Sequence, residues 1–268
     1  MDLQQAVKNI PYALDAYQRR NEQQPEEKIL YDREHPDGLT RAEADALSGR
    51  VYAWLKGNGV GREDFVLIAL PRGVLPFIAM IGVWKAGAAF TAVEENTPAE
   101  RVEFIRRDCG CKLVIDKDAW QNILSEAPLA GYEQADDHDA AFAIYTSGST
   151  GTPKGVLHEY GGLRMNCLGA GRSWEADTDK TLRAAMISPL STIAAAKLPL
   201  DDMYRSICHF IVPYDVSRNT EKLKAYLRDN RIDIAFFPPS LLRVLGDDLG
   251  PYPKYVSTGS EAADGRLF

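Results

Sequence analysis

From residue 28 onward, short continuous apolar runs alternate with longer stretches in which apolar side chains return every third or fourth position. The first pattern suits strands covered on both faces and the second suits helices with one buried stripe. The alternation therefore predicts an α/β fold of layered, largely parallel sheets flanked by helices. The predicted strands are Lys28 to Asp32, Phe65 to Leu70, Ala88 to Val93, Lys112 to Ile115, Ala141 to Tyr145, Arg183 to Ile187, His209 to Val212, Asp233 to Phe237 and Tyr255 to Thr258. The helices carry their own punctuation. Thr40 with Glu43 forms a capping-box pattern, Ala44, Leu47, Val51, Trp54 and Leu55 follow at helical spacing, and Asn58-Gly59 supplies a left-handed stop. A second box is read at Thr97-Pro98-Ala99-Glu100, with Pro98 at the first helical position, Val102 and Ile105 facing inward and Gly110 ending the helix. A third helix is predicted from Ser217 to Asn230, with Leu223, Tyr226 and Leu227 on one face.

The most apolar window, Gly73 to Trp84, is bounded by Arg72 and Lys85 and broken by Pro76. It falls far short of the ~20 residues a membrane helix requires and predicts buried core. The acidic, Ala-rich stretch Glu133 to Asp139 is the one linker-like segment, and it predicts two α/β lobes, 1–135 and 136–268. Asp136, Asp137, His138 and Asp139 within it read as a solvated loop, since consecutive side chains point apart and suit no metal.

With 268 residues, 45% hydrophobic and 26% charged, the composition is that of a globular protein and excludes fibrous or disulfide-stapled classes. Thirty-one Lys and Arg against 38 Asp and Glu leave a net charge of -7, with no basic stripe, so nucleic acid is not the expected partner and neither is a membrane. Asp2, Gln4 and Gln5 stand where a secretory signal would be basic and then apolar. Of the four cysteines, Cys109, Cys111, Cys167 and Cys208, the first pair has Cys-x-Cys spacing rather than the C-x-x-C of zinc and redox sites. Reduced thiols in a cytoplasmic protein are the expectation.

The strand at Ala141 to Tyr145 runs into Thr146-Ser147-Gly148-Ser149-Thr150-Gly151-Thr152-Pro153-Lys154-Gly155, with three glycines, five hydroxyls and one cation. Glycines let backbone N–H groups approach a ligand, and the hydroxyls and lysine offer donors to phosphate oxygens. The segment is not a Walker A loop, because Pro153 precedes and Gly155 follows Lys154. A flexible Ser/Gly linker would not carry Pro-Lys-Gly between two β-rich runs. Gly148 and Gly151 are expected to lack fixed order without nucleotide.

Tyr145 to Gly155 (YTSGSTGTPKG) resembles the phosphate-binding signature of the AMP-forming adenylation enzymes, most closely the adenylation domains of nonribosomal peptide synthetases. Leu39-Thr40 with Glu43-Ala44, Trp84-Lys85-Ala86-Gly87-Ala88-Ala89-Phe90, and Thr97-Pro98-Ala99-Glu100-Arg101-Val102 resemble further family motifs, so the likeness runs from about Pro11 to the end. The resemblance implies that Thr146, Ser147, Gly148, Ser149, Thr150, Gly151 and Lys154 hold the phosphates of Mg-ATP. A substrate carboxylate would then attack the α-phosphorus to give an acyl-adenylate, and a carrier-protein or CoA thiol would accept the acyl group.

The sequence departs from the family in three ways. After Ser257-Thr258-Gly259-Ser260-Glu261-Ala262 no adenine, ribose or lid motif follows, so the chain is expected to be an N-terminal piece, without the C-terminal lid domain and inactive alone. The alternative is a non-catalytic binding or interaction module with the same fold. In Ser188-Pro189-Leu190-Ser191-Thr192-Ile193, Ile193 occupies the register where amino-acid-activating members carry Asp, which favours an aryl or acyl acid over an α-amino acid. Tyr160 stands where the family often has His. Read by register, the substrate-pocket positions are Ile193, Lys197, Phe236, Val256 and Thr258; no catalytic residue and no metal ligand is assigned. The expected cut edge should leave Phe236, Phe237, Val256 and Phe268 exposed and invite self-association.

Overall fold

The computed structural model describes residues 12–146, 153–163, 181–204, 207–246 and 249–262. In chain order these form α1 (Ala13–Gln23), β1 (Lys28–Tyr31), β2 (Leu39–Thr40), α2 (Arg41–Gly57), β3 (Phe65–Ile68), α3 (Leu75–Lys85), β4 (Ala89–Ala92), α4 (Ala99–Asp108), β5 (Cys111–Ile115) and α5 (Lys117–Leu124). There follow β6 (Ala140–Thr146), β7 (Lys154–Glu159), β8 (Leu182–Met186), α6 (Ile193–Ala196), α7 (Leu198–Tyr204), β9 (Ile207–Ile211), α8 (Tyr214–Ser217), α9 (Thr220–Asp229), β10 (Ile234–Phe237), α10 (Pro239–Leu245) and β11 (Tyr255–Thr258).

The strands form two sheets, one of order β11-β10-β8-β9-β1-β2 and one of order β5-β3-β4-β6-β7. Each is parallel except for one antiparallel edge strand, β2 in the first and β7 in the second. Between the sheets lies the largest core, to which α1, α2, α3 and α7 contribute alongside Leu30, Met186 and Ile211 of one sheet and Val66, Ile68 and Phe90 of the other. Helix α4 covers the outer face of the five-stranded sheet through Phe104 and Ile105, and α9 with α10 covers the outer face of the six-stranded sheet through Leu223, Leu227 and Leu245. The layers are thus helix, sheet, helix, sheet, helix, and the predicted fold class holds.

The apolar window from Gly73 became α3, a helix buried nearly all round, as an apolar circumference requires. Trp84 on it donates from Nε1 to the Ala141 carbonyl at 3.0 Å, so its one polar atom is satisfied in the core. Gly82 lets α2 lie close, because a Cβ there would sit 2.4 Å from Val51 Cβ. The Thr40–Glu43 capping box is complete, and Gly59 and Gly110 take φ +72 and +64 at the predicted stops.

Some expectations need correction. Thr97 does not cap α4: Pro98, with φ -55 and ψ 138, is the N-cap and no side chain bonds to the first turn. The helix expected from Ser217 is broken, since Asn219 accepts from the Lys222 N–H and starts α9 afresh. The stretch 133–139 is solvated at Asp136, Asp137 and His138, as expected, but it is also pinned. Arg62 Nε meets Asp139 Oδ2 at 2.8 Å, its Nη2 reaches Asp136, and Asp139 is only 8% exposed. Sheet membership also crosses residue 135. β1 pairs with β9 beyond it and brings β2 into the same sheet, and β6 pairs with β4 before it and brings β7 along. Phe237 is fully buried beneath α9 and Phe236 half-buried, so neither lies bare; Val256 is exposed as expected, and Phe268 lies outside the described residues.

Candidate active site

The carboxyl ends of both sheets meet at Arg72, four residues beyond β3. Its guanidinium donates to three carbonyls at the ends of β8 and β9: Nε to Val212 at 2.7 Å, Nη1 to Ser188 at 2.9 Å and Nη2 to Met186 at 2.8 Å. Burial lowers its affinity for the proton, and the Glu94 carboxylate works against that loss. Glu94, two residues beyond β4, accepts from the N–H groups of Leu190 and Ser191. Burial lifts its carboxyl above the usual range, and those two N–H groups and Arg72 oppose the lift. The segment 188–191 is therefore gripped by a guanidinium on its carbonyl and by a carboxylate on its N–H groups. Two clefts open beside this grip. One of about 350 Å³ lies between Arg72, Tyr214 and Asp32, and one of about 380 Å³ lies between Pro71, Glu94 and Asp116. Clefts at strand carboxyl ends are where open α/β sheets take ligands.

The glycine-rich segment joins the same end of the five-stranded sheet. β6 and β7 pair with Tyr145 opposite Gly155 and Thr146 opposite Lys154. Directly opposed residues on an antiparallel pair project to the same face with Cβ atoms about 5 Å apart, so Thr146 and Lys154 emerge together, both exposed, at the base of the connection. A Cβ at Gly155 would sit 3.0 Å from the Tyr145 ring, a tight contact that glycine avoids. Ser147, Gly148, Ser149, Thr150 and Gly151 lie outside the described residues, and the expectation about the order of Gly148 and Gly151 lies there with them.

Ile193 is the first residue of α6 and is 41% exposed, with Thr192 before it donating from Oγ1 to the Pro189 carbonyl at 2.6 Å. Lys197, one turn later, lies on the same side of the helix. Its charge reaches His158 on β7, whose imidazole is held below its usual pKa by burial first and by Lys197 second. That ring stacks on Phe142 at 4.4 Å between centroids. The five pocket positions do not form one group. Phe236 pairs with Ser257, whereas Val256 pairs with Ala235 and Thr258 with Phe237, which puts Val256 and Thr258 on the α9 side of the sheet and Phe236 on the inner side. The physical reason is the period of two along a strand, which makes Tyr255 and Ser257 the neighbours of Phe236. Gly259 lies against the Phe236 ring, and Glu261 accepts from the N–H and Oγ of Ser240, tying the exit of β11 to α10. Arg72, Glu94 and His158 escaped the sequence reading. For Arg72 the signal was a lone cation at the border of the most apolar window.

Parallel sheets in alternating layers with helices, and clefts at the carboxyl ends of their strands, define an enzyme-like α/β architecture. The chain belongs to the family of AMP-binding enzymes, whose model matches residues 17–264. It is 29% identical over 230 residues to surfactin synthase subunit 1 of Bacillus subtilis, covering 80% of this chain and 6% of that protein. It is 35% identical over 208 residues to a probable non-canonical nonribosomal peptide synthetase, CymA, of Salinispora arenicola, covering 77% of this chain and 3% of that one. The chain thus spans less than a tenth of those relatives. The N-terminal subdomain of Klebsiella oxytoca NpsA, in complex with 3-hydroxybenzoyl-AMSN, superposes with a TM-score of 0.84 at 20% identity over 97% of this chain and 69% of that one. The four-domain nonribosomal peptide synthetase holo-AB3403, bound to AMP and glycine, gives a TM-score of 0.81 at 21% identity over 96% of this chain and 20% of that one. These two likenesses show the fold.

Proposed function

We propose that this chain is the N-terminal region of an ATP-dependent ligase that adenylates a carboxylic acid and passes the acyl group to a thiol of a carrier protein or CoA. The observation that carries the reading is the hairpin register, which brings Thr146 and Lys154 side by side at the base of the Ser/Thr/Gly connection. In this reading the hydroxyls of Thr146, Ser147, Ser149 and Thr150, with the backbone N–H groups at Gly148 and Gly151, hold the β- and γ-phosphates, and Lys154 balances their charge. Magnesium would accompany the nucleotide. Among the described residues no three His, Cys, Asp or Glu converge to bind it on their own. An oxygen of the acid bonds to the α-phosphorus as the α–β bridging bond breaks and pyrophosphate leaves; the thiol sulfur then bonds to the acyl carbon and AMP leaves. The protein's part is positioning and charge balance. In the same reading the lone chain binds nucleotide without completing the reaction, and it works in the cytoplasm; among the described residues no helix is long and apolar enough to cross a membrane.

The substrate side of the reading rests on Ile193 and Lys197. An α-ammonium beside them would meet the apolar Ile193 at the register where amino-acid-activating members are expected to carry Asp, whereas an aryl or acyl acid loses nothing. Calorimetric titration with non-hydrolysable acyl-adenylate analogues tests this. An aryl analogue is expected to bind at least tenfold more tightly than an aminoacyl one, while the same preparation shows no carboxylate-dependent exchange of pyrophosphate into ATP. Tighter binding of the aminoacyl analogue would refute the substrate class, and robust exchange would refute the inactivity of the lone chain.

A further inference from the structure

A separate pair of reactive side chains lies beneath the Tyr145 ring, where α4 passes into β5 through Asp108-Cys109-Gly110-Cys111-Lys112. Cys109 ends α4 at φ -78 and ψ -12, with its N–H on the carbonyls of Arg107 and Ile105. Gly110 then takes φ +64 and turns the chain, so that both cysteines pack into the same apolar cluster. Nothing lies within 4 Å of where a Gly110 Cβ would point, so the outside of the turn is open. Cys109 is half-buried at this opening, and Cys111 is buried behind it at 7% exposure. The Tyr145 hydroxyl donates to Asp108 Oδ2 at 2.6 Å, and Tyr145 packs in the same cluster as the two cysteines.

We propose that Cys109-Gly110-Cys111 is a thiol–disulfide exchange site for a low-molecular-weight disulfide, with Cys109 as the attacking thiol and Cys111 as the resolving one. It stands apart from the nucleotide reading. Cys109 is the thiol a small disulfide can reach. The Cys111 side chain beside it holds it below the usual thiol range, against burial and Asp108, while its neighbour's sulfur and burial hold Cys111 up. A bridge needs Cα atoms about 4.4–6.8 Å apart, a span that two residues flanking one turn residue meet. Cys208, by contrast, is buried in β9 with its thiol pushed up to about 12, which keeps it out of exchange.

The chemistry balances in two displacements. The Cys109 thiolate bonds to one sulfur of RS–SR, whose S–S bond breaks, and RS⁻ leaves and takes up the proton that Cys109 gave. The Cys111 thiol gives up its proton, bonds to the Cys109 sulfur and expels the second RS⁻, which takes up that proton. The protein loses two hydrogens, and the disulfide is reduced to two thiols.

The test is incubation of the full, folded chain with glutathione disulfide, followed by alkylation, trypsin and mass analysis of peptide 108–112. A peptide two hydrogens lighter and without alkyl groups is expected, restored by dithiothreitol, while Cys111→Ser stops as the glutathione adduct on Cys109. A doubly alkylated wild-type peptide, a stable wild-type adduct at Cys109, or a Cys109→Ser variant whose Cys111 reacts as fast as wild type would overturn the assignment. The wild-type arm decides even where a variant fails to fold.

Discussion

His209 faces the space between the sheets with 3% of its surface exposed, and its Nε2 has no hydrogen-bond partner among the described residues. Burial depresses its pKa from the usual 6.5 to about 3. Between those values the unfolded chain binds a proton that the folded chain refuses, so the stability tied to this neutral imidazole is complete above about pH 6.5 and is lost as pH falls toward 3. The full loss is on the order of 4 kcal/mol. Urea midpoints measured from pH 7 to pH 4 should therefore fall more steeply for the wild type than for His209→Leu, and parallel curves would contradict the burial argument. The carboxyls of Glu27 and Asp139, held low by Arg41 and Arg62 against burial, lose stability in the same direction but in both proteins alike. The sequence placed His209 on a strand, but which face of that strand is dry is decided by the second sheet.

At the scale of elements, the grip of Arg72 and Glu94 on segment 188–191 joins the two sheets at the end where ligands enter. Arg72→Ala would orphan the carbonyls of Ser188 and Val212 and leave Met186 with the Val212 N–H alone; an unsatisfied carbonyl costs about 1–3 kcal/mol, so thermal unfolding should show a loss of about 2–5 kcal/mol. Arg72→Lys should recover only a part, because one ammonium lacks the fork that reaches all three; a change below 1 kcal/mol in Arg72→Ala would show that the grip is not holding the sheets. Elements whose boundaries are local were legible. The Thr40–Glu43 box, the Gly59 and Gly110 stops and the apolar run of α3 each signal through neighbours in sequence. Elements that depend on distant partners were not. β7 is exposed at almost every position, so no burial pattern marks it, and only pairing with β6 makes it a strand. That the pocket positions on β10 and β11 divide between two faces was hidden for a related reason, since one strand's faces can be assigned only when its neighbour's register is known.

For the whole molecule, each sheet carries exposed apolar residues on an outermost strand among the described residues. Val156 and Leu157 lie on β7 at 48% and 55% exposure, and Val256 lies on β11. An unpaired edge with apolar side chains favours pairing with another chain, so sedimentation velocity should show association that grows with concentration. A monomer at every concentration would mean that these edges are protected. The family was legible in the sequence because the glycine-rich segment needs particular residue types at fixed spacing, whereas the two-sheet closure around Arg72 is written in no single motif. The central claim is that Lys154 and the hydroxyls around it hold a nucleotide's phosphates, and the most direct measurement is calorimetric titration of Mg-ATP into the wild type and Lys154→Ala. Lys154 is exposed and outside the core, so the variant should fold as the wild type does. The account predicts saturable binding weakened at least tenfold by the substitution; no binding by the wild type, or equal affinity in the two, would contradict it.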